Sequence, residues 1–200
     1  SCQAPPMELN EADLDPDPLR QFETWFDAAR VAGVRAPEAM ALATATPDGT
    51  PSVRMVLLKG ADERGYVFFT SYESRKGREL EANPQAALLF HWEALGRQVR
   101  VEGMVERASA EESDTYFASR PPGSRAGAAA SRQSRALADR AELDRAVAAL
   151  GDDVSRPDWW GGYRVRPERY EFWQHRENRL HDRFLYERDG SGWRIQRLYP

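Results

Sequence analysis

The feature that most constrains this chain is a rhythm of short apolar runs separated by turn-sized breaks. "AMALATAT" (39–46) leads through "PDGT" into "PSVRMVLLKG" (51–60), and "ADERG" leads into "YVFFTS" (66–71). Runs of this length, rich in β-branched and aromatic residues and bounded by Gly, Pro and Asp, read as strands. Breaks this short join antiparallel neighbours, because a parallel pair needs a long crossover. "QAALLFHW" (85–92) and "RQVRVEGMVERA" (97–108) read as a second pair, the latter setting Gln98, Arg100 and Glu102 against Val99 and Val101. After a turn in "RPDWWGGY", three more strands are expected at about 163–174, 179–187 and 192–198. Roughly eight strands without regular helical crossovers favour a mainly antiparallel sheet or barrel over a doubly wound parallel sheet.

Helices fill the gaps. Asp17 followed by Pro18 is a helix start, and Leu19, Phe22, Trp25, Phe26 and Ala29 recur at helical spacing up to about Val31. "SRKGRELEAN" (74–83) is a short helix ending before Pro84. Ser109 and Glu112 form a capping box for a helix through about Ser119. "RPPGSRAGAAASRQS" (120–134), rich in Pro, Gly and Ser, reads as a long loop, and "DRAELDRAVAALG" (139–151) as a helix. The expected organisation is a flexible N-terminal arm over residues 1–15 and a single domain over 16–200.

With 200 residues, a 41% hydrophobic fraction and 30% charged residues, the chain can bury a sizeable core. A net charge of −4 without a long basic block argues against general nucleic-acid binding. Cys2 is the only cysteine, so neither an internal disulfide nor a CxxC site is available. No apolar run is long enough to span a membrane, and the polar, acidic N-terminal stretch does not read as a secretory signal. A cytoplasmic protein is expected.

GxGxxG, GxxxxGK[ST] and GxSxG are absent, and His91, His175 and His181 are not spaced as metal ligands. What remains is a scatter of cationic and polar residues at strand and helix edges. Ser74, Arg75 and Lys76 open a short helix, whose first N–H groups favour an anion. Arg54 and Lys59 bracket a strand, and Tyr116 and Arg120 lie one helical turn apart. In "RLHDR", Arg179, His181 and Arg183 alternate, which on a strand places them on one face. Such a row is either a solvated face or an anion site.

In order, "RMVLLK", "SRKGRELEANPQAALLFHW", "RQVRVEG", "YFASRPPGS", "SRQS", "WGGYRV", "EFWQ" and "NRLHDRFLY" resemble the pyridoxine/pyridoxamine 5′-phosphate oxidase family, over about residues 15–200. The resemblance implies an FMN-binding split β-barrel with peripheral α-helices, and a homodimer holding FMN in clefts at the subunit interface. It implies oxidation of pyridoxine or pyridoxamine 5′-phosphate to pyridoxal 5′-phosphate, with O₂ as electron acceptor and hydrogen peroxide released. Carried over by position, FMN would contact Arg54, Met55, Val56, Leu57, Leu58 and Lys59, then Phe69 and Thr70. Arg75 and Lys76 would lie at its phosphate, and Gln98, Gln133, Ser134, Trp160 and Arg183 would complete the site, some from the partner subunit. Lys59, Tyr116, Arg120 and Ser124 would meet the substrate phosphate, and Arg179 and His181 would flank the reacting end of the pyridine. No metal is implied. The family's N-terminal "RxxY" is replaced by "SCQA" in this chain. Two other functions share these motifs: a related flavin oxidase acting on a phenazine-type precursor, and a non-catalytic flavin- or pyridoxal-phosphate-binding protein. Lys59, Arg120 and Ser124 favour a phosphorylated substrate.

Overall fold

Short turns leave neighbouring strands little choice but to pair antiparallel, and every strand pairing is of that kind. The computed structural model describes residues 8–151 and 153–200. Among the described residues nine strands form one curled sheet: β1 (Ala39–Ala45), β2 (Pro51–Leu57), β3 (Gly60–Asp62), β4 (Gly65–Ser71), β5 (Gln85–Trp92), β6 (Arg97–Arg107), β7 (Trp160–Gln174), β8 (Asp182–Asp189) and β9 (Gly192–Leu198). Five α-helices lie among the described residues: α1 (Pro18–Val31), α2 (Arg75–Ala82), α3 (Ala110–Ser119), α4 (Pro122–Ala130) and α5 (Arg140–Leu150). None is long and apolar enough to cross a membrane.

The path runs β2-β1-β5-β6-β7-β4-β3, and β7 is where it forks. One edge of β7 takes β6 along most of its length. The other edge is shared: residues 160–165 pair with β4, and residues 169–174 pair with β8. Between the two halves the β6–β7 register slips at Glu102/Gly103. Gly103 is required there, since a Cβ would sit 1.9 Å from the Arg166 carbonyl oxygen.

The core lies under α1. The Asp17 side chain accepts from the Leu19 N–H at 2.9 Å and Pro18 occupies the first turn, so the helix starts where the sequence signals it. Its buried face sets Phe22 against Tyr66 (5.0 Å between centroids) and Phe90 (4.9 Å), and Trp25 edge-on to Phe172 (5.3 Å). Burying side chains of this size contributes about 2 kcal/mol each.

The structure corrects four sequence expectations. The loop expected over 120–134 contains α4: Pro122 fits the first turn of a helix, and the alanines that follow are strong helix formers. The strand expected from 163 begins at Trp160, with Gly161 and Gly162 inside it rather than in a turn. Side chains there would collide with Tyr72 and Ala108, at 2.0 and 2.7 Å. The strand expected over 51–60 stops at Leu57, and Gly60 opens β3, leaving Lys59 in the break. Finally, β8 begins at Asp182. Glu177–Arg179 form a tight turn with Asn178 and Arg179 at φ 55° and 62°. Arg179, His181 and Arg183 therefore do not share one strand face.

Of the arm expected over residues 1–15, residues 1–7, including "SCQA", lie outside the described residues. Leu9 is buried, its N–H donates to Asp182 Oδ2 (3.2 Å), and its carbonyl accepts from Arg197 (3.1 Å). Arg197 also pairs with Glu11 at 2.9 Å.

Candidate active site

A cavity of about 400 Å³ opens between β2, the end of β4, α2, α3 and α4. Its aromatic wall is flat. Phe69 stacks on Tyr116 (4.1 Å, 19°) and lies near-parallel to Trp160 (5.8 Å, 14°). The Arg120 guanidinium lies 4.8 Å from the Trp160 ring, and the Lys59 ammonium 5.8 Å from that of Tyr116. Met55, Val56 and Leu57 of β2 form another part of the lining.

Among the described residues, the cavity's cations Lys59, Lys76 and Arg120 have no carboxylate within ion-pair distance. Lys76 is buried, and its ammonium donates only to neutral oxygens: Gln133 Oε1 (3.0 Å), Thr70 Oγ1 (3.1 Å) and Ser74 Oγ (3.4 Å). Burial, and then the charge of Arg54, bring its pKa down to about 8. Among the described residues Arg120 Nη1 is buried with no hydrogen-bond partner, and burial lowers the pKa of that guanidinium. Buried charges are normally paired. A group carrying phosphate fits these residues. At the start of α2 beside them, the Gly77 N–H donates to Ser74 Oγ and the Arg75 N–H to Ser134 Oγ at 3.1 Å.

Of the sequence-derived candidates, the structure brings Met55, Val56, Leu57, Lys59, Phe69, Thr70, Lys76, Tyr116, Arg120, Gln133 and Trp160 to this cavity. Others lie elsewhere. Leu58 is buried in the core. Arg54 turns away to Leu42 O (3.1 Å), Thr44 Oγ1 (2.6 Å) and Glu79 (3.3 Å), while Arg75 pairs with Glu79 at 2.8 Å. Ser134 touches the start of α2, and Ser124 lies in the first turn of α4, where its N–H donates to the Pro121 carbonyl.

Gln98, Arg179, His181 and Arg183 belong to a second cluster. Gln98 and Arg183 flank Trp173 in the sheet register. Phe69 of the cavity pairs with Gly162, eleven positions back along β7, so about 35 Å of strand separates the two places. In the second cluster His181 Nδ1 accepts from the Arg176 N–H at 3.1 Å, which places the neutral ring's proton on Nε2. Its ring lies 4.5 Å from Trp173 and 5.2 Å from His175. Burial first, then His175, Arg179 and Arg183, lower its pKa. Arg183 grips the buried Glu171 with two bonds of 3.1 Å and donates to Tyr199 O at 3.0 Å. Sequence reasoning missed Trp173, Glu171 and Glu79. Trp173 was legible once the "EFWQ" and "RFLY" strands were registered as a hairpin, which sets it opposite Arg183.

A forked antiparallel sheet with a flat-walled, cation-lined cavity defines a curled-sheet protein built to take a flat ligand that carries phosphate. The comparisons agree. A family model for pyridoxamine 5′-phosphate oxidase matches residues 26–152, and one for the pyridoxine 5′-phosphate oxidase C-terminal dimerisation region matches residues 160–200. The chain is 63% identical over 197 residues to a pyridoxine/pyridoxamine 5′-phosphate oxidase of Rubrobacter xylanophilus, covering 96% of this chain and 91% of that one. It is 58% identical over 199 residues to one of Burkholderia multivorans, covering 96% and 93%. It resembles the crystal structure of PhzG from Burkholderia lata 383 in complex with tetrahydrophenazine-1-carboxylic acid, at TM-score 0.93 and 38% identity, over 99% of this chain and 100% of that one. An FMN-binding protein from Nostoc punctiforme shares the fold at TM-score 0.76 and 16% identity, over 94% and 100%. The chain belongs to the pyridoxine/pyridoxamine 5′-phosphate oxidase family, whose members are FMN-dependent oxidases.

Proposed function

We propose that the protein is a homodimer that oxidises pyridoxine or pyridoxamine 5′-phosphate to pyridoxal 5′-phosphate, with O₂ as acceptor and hydrogen peroxide as by-product. The observation that carries this reading is the convergence of Lys59, Lys76 and Arg120 on one aromatic-walled cavity. Two phosphates, one on the cofactor and one on the substrate, suit three cations.

FMN, when bound, supplies the two-electron acceptor. Lys76, Arg75 and the start of α2 would hold its phosphate. Lys59, Tyr116, Arg120 and Ser124 would hold that of the substrate. Arg179 and His181 lie in the turn beyond the Gln174 end of β7, the end away from the cavity of their own chain, so in this reading they come from the partner subunit. His181 then works uncharged, donating from Nε2 to the polar group at the reacting carbon, while the Arg176 backbone keeps the ring in that tautomer.

The test is peroxide release from FMN-loaded protein given pyridoxine 5′-phosphate in air. Steady release, lost in His181→Ala while bound flavin is retained, is the expected result. The likeness to PhzG favours a second reading, oxidation of a phenazine precursor. Oxidation of a dihydrophenazine carboxylic acid without turnover of the pyridine substrate would replace the first reading with the second. Bound flavin with turnover of neither compound would point to a binding protein.

A further inference from the structure

Of the 28 lysine and arginine residues in this chain, only Lys59 and Lys76 are lysines, and both line the cavity. A primary amine has one capacity that a guanidinium lacks in practice. Once deprotonated it adds to an aldehyde carbonyl and, with loss of water, leaves an imine.

Lys76 is placed for this. Its amine faces the cavity, bonds only to the neutral oxygens of Thr70, Ser74 and Gln133, and among the described residues has no carboxylate within ion-pair distance. With its pKa at about 8, about one amine in ten is unprotonated at pH 7, against about one in three thousand for an ordinary lysine. Lys59 differs: it is exposed, with its Nζ 5.8 Å from the Tyr116 ring centroid. In the same cavity Arg120 Nη1 has no hydrogen-bond partner among the described residues and can receive a phosphate. The volume, about 400 Å³, lies in the range of small-molecule sites.

We propose that, in the flavin-free chain, Lys76 forms an imine with a phosphorylated pyridine aldehyde and that this adduct keeps FMN out. The inference rests on the reading above, in which such an aldehyde is the product. The Nζ lone pair attacks the carbonyl carbon. The carbonyl oxygen leaves as water with the two amine protons, and nothing is oxidised or reduced. The adduct is reversible, so abundant product holds back chains not yet loaded with cofactor. In loaded chains the cofactor phosphate engages Lys76 and suppresses the reaction.

The experiment uses the full chain in two forms, FMN-loaded and stripped of flavin, each exposed to pyridoxal 5′-phosphate, reduced with borohydride and mapped by peptide mass spectrometry. Recovery of bound flavin on adding FMN to a stripped aliquot verifies that the stripped chain is folded. The expected result is a reduced adduct on Lys76 in the stripped chain, at least tenfold less of it in the loaded chain, and far less with unphosphorylated pyridoxal. Lys59→Arg should keep the label and Lys76→Arg should lose it. Label chiefly on Lys59 or the terminal amine, label unaffected by FMN, or no label would each overturn the proposal. Peroxide release by the loaded chain is scored separately. Turnover without label removes the adduct alone, and label without turnover removes the oxidase reading alone.

Discussion

Glu79 lies buried between α2 and the β1–β2 hairpin, where its two oxygens accept from Thr44, Ser52, Arg54 and Arg75. Burial by itself would raise its carboxyl pKa. The hydrogen bonds from Ser52, Thr44, Arg75 and Arg54 outweigh that and hold it at about 2. The folded value lies below the unfolded value of about 4.3, so the stabilisation is present above that pH and is lost as pH falls towards 2. Glu79→Ala leaves Arg54 without its carboxylate and should cost about 3 kcal/mol in urea unfolding at pH 7. The difference between wild type and variant should shrink as pH is lowered from 5 to 3, and an unchanged difference would show that Glu79 does not titrate this way. At this scale the sequence was legible where chemistry is local: Asp17 before Pro18, and Ser109 with Glu112, cap the helices they announce. It was not legible for Arg54. That side chain reads as a ligand-facing strand residue until Glu79, 25 positions away, is seen to take it.

Among elements, β7 carries the architecture, and Gly103 marks where its two halves part. Gly103→Ala places a methyl group against the Arg166 carbonyl, an overpacking that costs about 2 kcal/mol and lowers Tm by about 5 °C. An unchanged Tm by calorimetry would mean that the strands yield there without strain. The sequence showed the strands through their alternation and their turns. It hid α4 behind the Pro-Pro-Gly composition that usually marks a loop, and it hid the start of β7 behind Gly161 and Gly162. Those glycines serve close packing against Tyr72 and Ala108 rather than a bend. The "RLHDR" row failed as a strand because Asn178 and Arg179 adopt positive φ, a backbone state that alternation alone does not reveal.

In the whole molecule, β2 ends the sheet path with Val53, Met55 and Leu57 exposed at 69%, 64% and 43%. An apolar edge of this kind invites a partner. In the proposed dimer the cavity of one subunit is completed by Arg179 and His181 of the other. Arg120→Ala and His181→Ala, each inactive alone, should therefore regain about a quarter of wild-type activity when mixed and allowed to exchange subunits, because half of the random dimers carry one intact site. No recovery despite exchange shown by native mass spectrometry would place both groups in the same subunit's site. Spacing in a sequence cannot say which copy a residue serves; the family resemblance implied only that some cofactor contacts come from the partner, and the assignment of Arg179 and His181 to it is a proposal drawn from their distance from the cavity.

The fork at β7 also has a consequence in time. Its first half can pair with β4 and β6 as soon as residue 165 has left the ribosome, because those strands are already made. Its second half must wait for β8, residues 182–189, before its other edge is closed. Until then Tyr170 and Phe172, both buried in the finished protein, sit on a half-open sheet. A chain stalled before β8 is made should therefore present an open, apolar sheet edge to chaperones and to other nascent copies.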